Sequence, residues 1–115
     1  MDIYSFDDPV DFRGRQVATS VILETSFSKE IRISMLQDHL IKEHKTPFPI
    51  IVHLLEGEIE FRVGEQEAYR LRAGDIITLP GGVPHSLLAF QNSTVRLTLS
   101  KQDRTERVEE VVKTS

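Results

Sequence analysis

Gly74-Asp75-Ile76-Ile77-Thr78-Leu79-Pro80-Gly81-Gly82-Val83-Pro84-His85 is the stretch whose reading decides the fold. Gly74-Asp75 is a tight-turn dipeptide, and Ile76 to Leu79 is an apolar run of strand length. Pro80-Gly81-Gly82 forces a second sharp turn that only proline and glycine make cheaply. His85 then follows a proline at the head of another apolar run, Ser86 to Phe90. One imidazole is thereby delivered at a fixed point where a strand re-enters a sheet, which is how β-barrels build metal and ligand sites. A hairpin with a histidine beside its turn is the plainer alternative, and the complete run argues against it.

Working outward, the same punctuation recurs. Val17 to Phe27 and Ile31 to Gln37 have strand composition; in the second, Ile31, Ile33 and Met35 mark a buried face. Leu40 to His44 is a short return segment after a turn at Asp38-His39. Thr46-Pro47-Phe48-Pro49 cannot be helical, because each proline restricts the residue before it. Ile50 to Leu55 is a strongly apolar strand interrupted by His53, and Ile59 to Val63 alternates in and out after the Glu56-Gly57-Glu58 turn. Ala68 to Leu71 pairs back as a hairpin. Thr94 to Ser100 is the last strand, with Val95, Leu97 and Leu99 on one face. Beyond Lys101, Val108, Val111 and Val112 fall at helical spacing behind a capping box from Asp103 to Glu106, predicting a short helix or tail over 103–115. Many short strands with one terminal helix predict an all-β barrel or two-sheet sandwich. We expect one domain over 1–115, with its core at about 30–100 and N-terminal strands within 1–29.

The 115-residue chain is long enough to bury a core without staples, and it has no cysteine, hence no disulfide, thiolate metal site or cysteine nucleophile. Its start lacks the basic and apolar regions of a secretory signal, and no segment approaches membrane-spanning length. The expectation is a soluble, cytoplasmic protein that does not engage a membrane. A net charge of −4 with interspersed signs argues against a nucleic-acid surface, which needs clustered Lys and Arg.

Gly74, Pro80, Gly82 and His85 match the spacing of the second motif of the cupins, and the chain resembles that superfamily of small jelly-roll β-barrels. The motif's closing asparagine position is Ala89 here. In the first motif Gly57 fits the closing glycine, Ile50 stands at the glutamate position, and His44 and Thr46 stand at the two histidine positions. The likeness covers about residues 30 to 100 and implies an all-β cupin-type jelly roll, a double-stranded β-helix. A metal cupin holds its ion with three histidines and a glutamate; only His44 and His85 of those four positions carry a ligating side chain. His53 is a candidate third ligand, but with Ile50 inward, strand parity turns Val52 and Leu54 inward as well and His53 to the other face. There it suits a dimer contact or a hydrogen bond to a neighbouring strand, and only a bulge would bring it in. His44 reads either as an inward ligand or as part of the exposed Lys42-Glu43-His44-Lys45 cluster; His39, in its turn, reads as solvated.

Two functions stay open. In the first, the barrel binds a small, mostly apolar molecule in a pocket lined by Ile50, Val52, Leu54 and Phe61, with the histidines orienting it. A weakly or incompletely coordinated divalent ion (zinc, nickel, iron or manganese) would sit at His44, His85 and His53. In the second, that ion serves a metal-dependent dioxygenase, isomerase or lyase. No catalytic residue can be named, since Glu56 and Glu58 flank a turn and read as solvated. The resemblance implies a homodimer, with an outward apolar sheet face to cover.

Overall fold

In-out alternation is the local rule that builds this molecule. A strand with β-branched and aromatic residues on one face gains by burying that face, and two such sheets bury each other. A computed structural model describes residues 1–65 and 67–101, and among them the chain forms nine antiparallel strands. They are β1 Val17–Glu24, β2 Ser28–Met35, β3 Leu40–His44, β4 Ile50–Glu56, β5 Glu58–Val63, β6 Glu67–Arg72, β7 Ile76–Leu79, β8 His85–Ala89 and β9 Ser93–Ser100. Five make one sheet in the order β1-β2-β9-β4-β7, and four make the second in the order β3-β8-β5-β6. The crossings between sheets give the two-sheet jelly roll expected from the sequence. Of the expected N-terminal strands, β1 and the start of β2 lie within 1–29, and residues 1–16 carry none. The expected helix over 103–115 lies outside the described residues. No helix among the described residues is long and apolar enough to cross a membrane.

Between the sheets lies the core. Phe61, Met35, Leu54, Ile59 and Val95 are its largest fully enclosed side chains, each contributing about 1.5–3 kcal/mol by leaving water. On β4 the parity is as the sequence requires: Ile50, Val52 and Leu54 are buried while Ile51 is exposed.

The strand β2 departs from simple alternation. Its inner face carries Ile33 and Met35, but Ser28, Glu30, Arg32 and Ser34 on the outer face are buried too. Two covers explain this. Arg96 Nε and Thr98 Oγ1 on β9 donate to Glu30 Oε1 at 2.9 and 2.5 Å, and the N-terminal segment lies over Arg32, whose Nη1 donates to the carbonyls of Phe6 and Asp8. Burial alone would push the Glu30 carboxyl up. Hydrogen bonds from Thr98, Ser28 and Arg96, with the Arg96 charge, outweigh it and hold Glu30 below the ordinary glutamate value.

Candidate functional site

The turn that reads most clearly in the sequence also does the positioning. Gly81 lies so close to the Thr46–Pro49 loop that a Cβ there would be driven into the Pro47 carbonyl. Beside it, Gly82 holds a left-handed φ of 78° and its N–H donates to the Thr46 carbonyl at 2.7 Å. On the other side of the turn, Gly64 N–H donates to the Pro84 carbonyl at 2.8 Å. The entry to β8 is thus stitched to the exit of β3. These strands pair antiparallel with His44 directly opposite His85, after a bulge between Ile41 and His44.

Cross-strand pairing brings the two imidazoles to a centroid separation of 4.3 Å with a 60° tilt. His85 is buried and its ring stacks on Phe61, at 5.6 Å and 14°; His44 stands at the exposed edge. Each ring is held the same way. His85 Nδ1 is 2.9 Å from the Val83 carbonyl and His44 Nδ1 is 2.9 Å from the Lys42 carbonyl. A carbonyl only accepts, so each Nδ1 carries its proton and each Nε2 keeps a free lone pair while the ring is neutral. Burial lowers the His85 pKa, charge on His44 lowers it further, and the Val83 bond opposes them incompletely. Burial thus favours the neutral ring of His85.

Both rings line a cavity of about 360 Å³ whose other walls are mainly aliphatic, including Ile31, Ile33, Ile50, Val52, Leu87 and Leu97. Thr19, Ser20 and Val21 of β1 form its rim, so the lumen opens between the edge strands β1 and β3. Among the described residues no carboxylate lines it.

The residues singled out from sequence divide cleanly. His44, His85, Ile50 and Val52 line the lumen together. Leu54 and Phe61 belong to the packed core, where Phe61 supports His85 from behind. His53 lies opposite Arg96 and Ile76 in the sheet register and lines an outer groove with Glu30 and Arg96, away from the two imidazoles. Thr46, at the family's second histidine position, spends its hydroxyl on the Phe48 carbonyl at 3.1 Å. The β1 rim and the β2 and β9 walls were not singled out from sequence; their inward alternation was visible, but not which inward residues stop short of filling the centre.

The donor set does not fit a tightly held metal ion. Protein zinc sites ordinarily supply three or four side-chain ligands, and no group of three or more His, Cys, Asp or Glu suited to a metal occurs among the described residues. Ile50 replaces the acidic ligand with a hydrocarbon wall.

Comparison with known proteins agrees with the architecture. Solved structures share the fold at low identity. An RmlC-like cupin from Desulfovibrio desulfuricans superposes with a TM-score of 0.77 at 19% identity, covering 87% of this chain and 96% of that one. A double-stranded β-helix domain protein from Klebsiella pneumoniae gives 0.73 at 24%, covering 87% and 89%. An RmlC-like cupin with a double-stranded β-helix fold from Methanocaldococcus jannaschii gives 0.70 at 15%, covering 93% and 96%. No curated protein matches the chain. The cupin-domain family model matches residues 34–100, a span that contains both stitched turns and both lumen histidines, and the chain belongs to the cupin family.

Proposed function

We propose that this cupin binds a small, largely apolar molecule inside its barrel, oriented by hydrogen bonds to the Nε2 atoms of His44 and His85. The supporting observation is the lumen itself: an aliphatic cavity of about 360 Å³ with two side-by-side imidazoles on its wall and no carboxylate among the described residues. That volume lies within the range of small-molecule sites, where a few convergent polar groups set orientation in an apolar pocket. A neutral imidazole Nε2 accepts, so the matching ligand carries a hydroxyl or N–H donor on a hydrocarbon frame.

A metal-dependent enzyme is the second reading, favoured by the two free Nε2 lone pairs. An ion held there would need donors from its ligand or water to complete its shell, which makes it weakly bound and ligand-dependent. Elemental analysis beside calorimetric titration with phenol separates the readings. Phenol binding by metal-free protein, lost in His85→Leu, supports the ligand-binding reading. Near-stoichiometric zinc, nickel, iron or manganese that disappears in both His44→Ala and His85→Ala supports the enzyme instead. A homodimer is part of the proposal, and its support is the outer groove of the five-stranded sheet, which exposes Phe27, Ile51 and Ile76. A monomeric sedimentation coefficient at micromolar concentration would remove that element.

A further inference from the structure

On the outer face of the five-stranded sheet, Arg32 faces Ser20 on β1 and Arg96 on β9 in direct register. Two guanidiniums opposite one another on adjacent strands repel unless each is compensated. Arg96 is compensated by Glu30, whose carboxylate it meets at 2.9 Å. Arg32 is not. It is only 8% exposed, and among the described residues it has no carboxylate within ion-pair distance. Its Nη1 donates to two main-chain carbonyls, Phe6 at 3.3 Å and Asp8 at 2.8 Å. Its Nε and Nη2 donate to nothing among the described residues. They are not sealed either, because the one enclosed polar side-chain atom without a partner there is Ser34 Oγ.

Arg32 lines a second cavity of about 510 Å³, together with Arg13, Arg15, Ser20, Thr19 and Asp11 among others. The Phe12–Arg15 turn sets Arg13 and Arg15 on its wall: Arg15 N–H donates to the Phe12 carbonyl at 2.9 Å, and Arg13 itself takes a left-handed φ of 52°. Asp11 is engaged with Arg13, accepting its N–H at 2.9 Å and lying 4.0 Å from its Nε. Three guanidiniums thus share one carboxylate, in a chain whose net charge is −4. Concave basic walls focus potential, and planar guanidinium forks match carboxylate and phosphate oxygens.

We propose that this arginine groove is an anion-binding site, separate from the barrel lumen, that takes a small metabolite by a phosphate or carboxylate group. Arg32 supplies the deep contact and Arg13 and Arg15 close over the anion from the turn, with the Ser20 hydroxyl beside them. The groove shares Thr19 and Ser20 of β1 with the lumen and takes Arg32 from β2, whose Ile31 and Ile33 line the lumen; the three arginines line the groove alone, and the two histidines the lumen alone.

Thermal unfolding and calorimetry at pH 7.5 test this with inorganic phosphate and with glutarate, each against sodium chloride of equal ionic strength. The expected result is saturable stabilisation beyond the chloride control by at least one anion. Stronger response to phosphate identifies a phosphate group as the natural handle, and stronger response to glutarate a carboxylate. Arg32→Gln should weaken binding about tenfold or more and the exposed Arg15→Gln several-fold, since each removes a charge-assisted contact. Circular dichroism checks that Arg32→Gln is folded; if it is not, Arg15→Gln carries the comparison. His44→Ala, which alters the lumen alone, should leave the anion response intact. Stabilisation no greater than that of chloride, or a response unchanged in Arg15→Gln and Arg32→Gln, would overturn the proposal and leave Arg32 as a clasp for residues 6–8.

Discussion

Replacing Ile50 by glutamate converts the hydrocarbon wall of the lumen into the third ligand it lacks. Ile50 is 3% exposed and lines the same cavity as His44 and His85. Without metal the change is costly. Losing the buried side chain removes about 1.5–3 kcal/mol of transfer energy, and an incompletely paired carboxylate adds about 1–3 kcal/mol, partly offset where it stabilises a charged imidazole. Before that offset the two contributions sum to about 2.5–6 kcal/mol. Zinc should reverse much of it. A site with three protein ligands meets the ordinary requirement for an open metal centre, and free zinc at a hundredfold excess over Kd stabilises by about 2.7 kcal/mol. For a domain of this size each kcal/mol moves Tm by roughly 4 °C, giving a rise of about 10 °C. Differential scanning fluorimetry of Ile50→Glu with and without zinc reads this directly, with wild type and the His44→Ala/Ile50→Glu double variant as controls. Wild type and the double variant should each shift much less. If Ile50→Glu responds to zinc no more than wild type, position 50 does not face the imidazoles and the lumen has been drawn wrongly.

Three further outcomes follow from the same geometry. Gly81→Ala should destabilise by about 3 kcal/mol or more in urea unfolding, because its Cβ meets the Pro47 backbone, a strain class at the top of the mutational range; Gly82→Ala, strained only by its positive φ, should cost about 1–2 kcal/mol. His85 has a depressed folded pKa, so its contribution to stability is full above the unfolded value near 6.5 and is lost as pH falls toward the folded value. Urea midpoints measured from pH 8 to 5 should fall over that window, and His85→Gln should flatten this part of the profile. Ser34→Ala should be neutral or stabilise by up to about 1 kcal/mol, since the enclosed hydroxyl has no partner among the described residues; a loss above that figure in chemical denaturation would reveal a bond that the geometry omits.

Much of the lumen was legible because it is built from local rules. The glycine and proline punctuation from Gly74 to His85 announced the turn, and period-two parity, anchored on the family's glutamate position at Ile50, placed Ile50 and Val52 inward and His53 outward. The same parity could not separate Leu54 and Phe61, which fill the core, from Ile50 and Val52, which border a void; that distinction depends on how far the opposing sheet's side chains reach. Nor could it reveal that β3 pairs with β8. The His44–His85 pairing joins residues about forty positions apart, and the sequence supported it only through resemblance to a family. The second buried face of β2 was hidden for a related reason. The sequence marks only Ile31, Ile33 and Met35 as a buried face, and it is the overlying segment at residues 6–8 and the cross-strand Arg96 and Thr98 that cover Arg32 and Glu30 on the other.

Nitrogen-detected NMR of the imidazole rings tests the central claim most directly. In their neutral forms His44 and His85 should both show protonated Nδ1 and lone-pair Nε2, with cross-relaxation between the two rings. Millimolar phenol should move both Nε2 resonances together and leave those of His39 and His53 in place. Rings in the opposite tautomer, without contact between them, or a phenol response at His53 and none at His44 and His85, would contradict a ligand site inside the barrel.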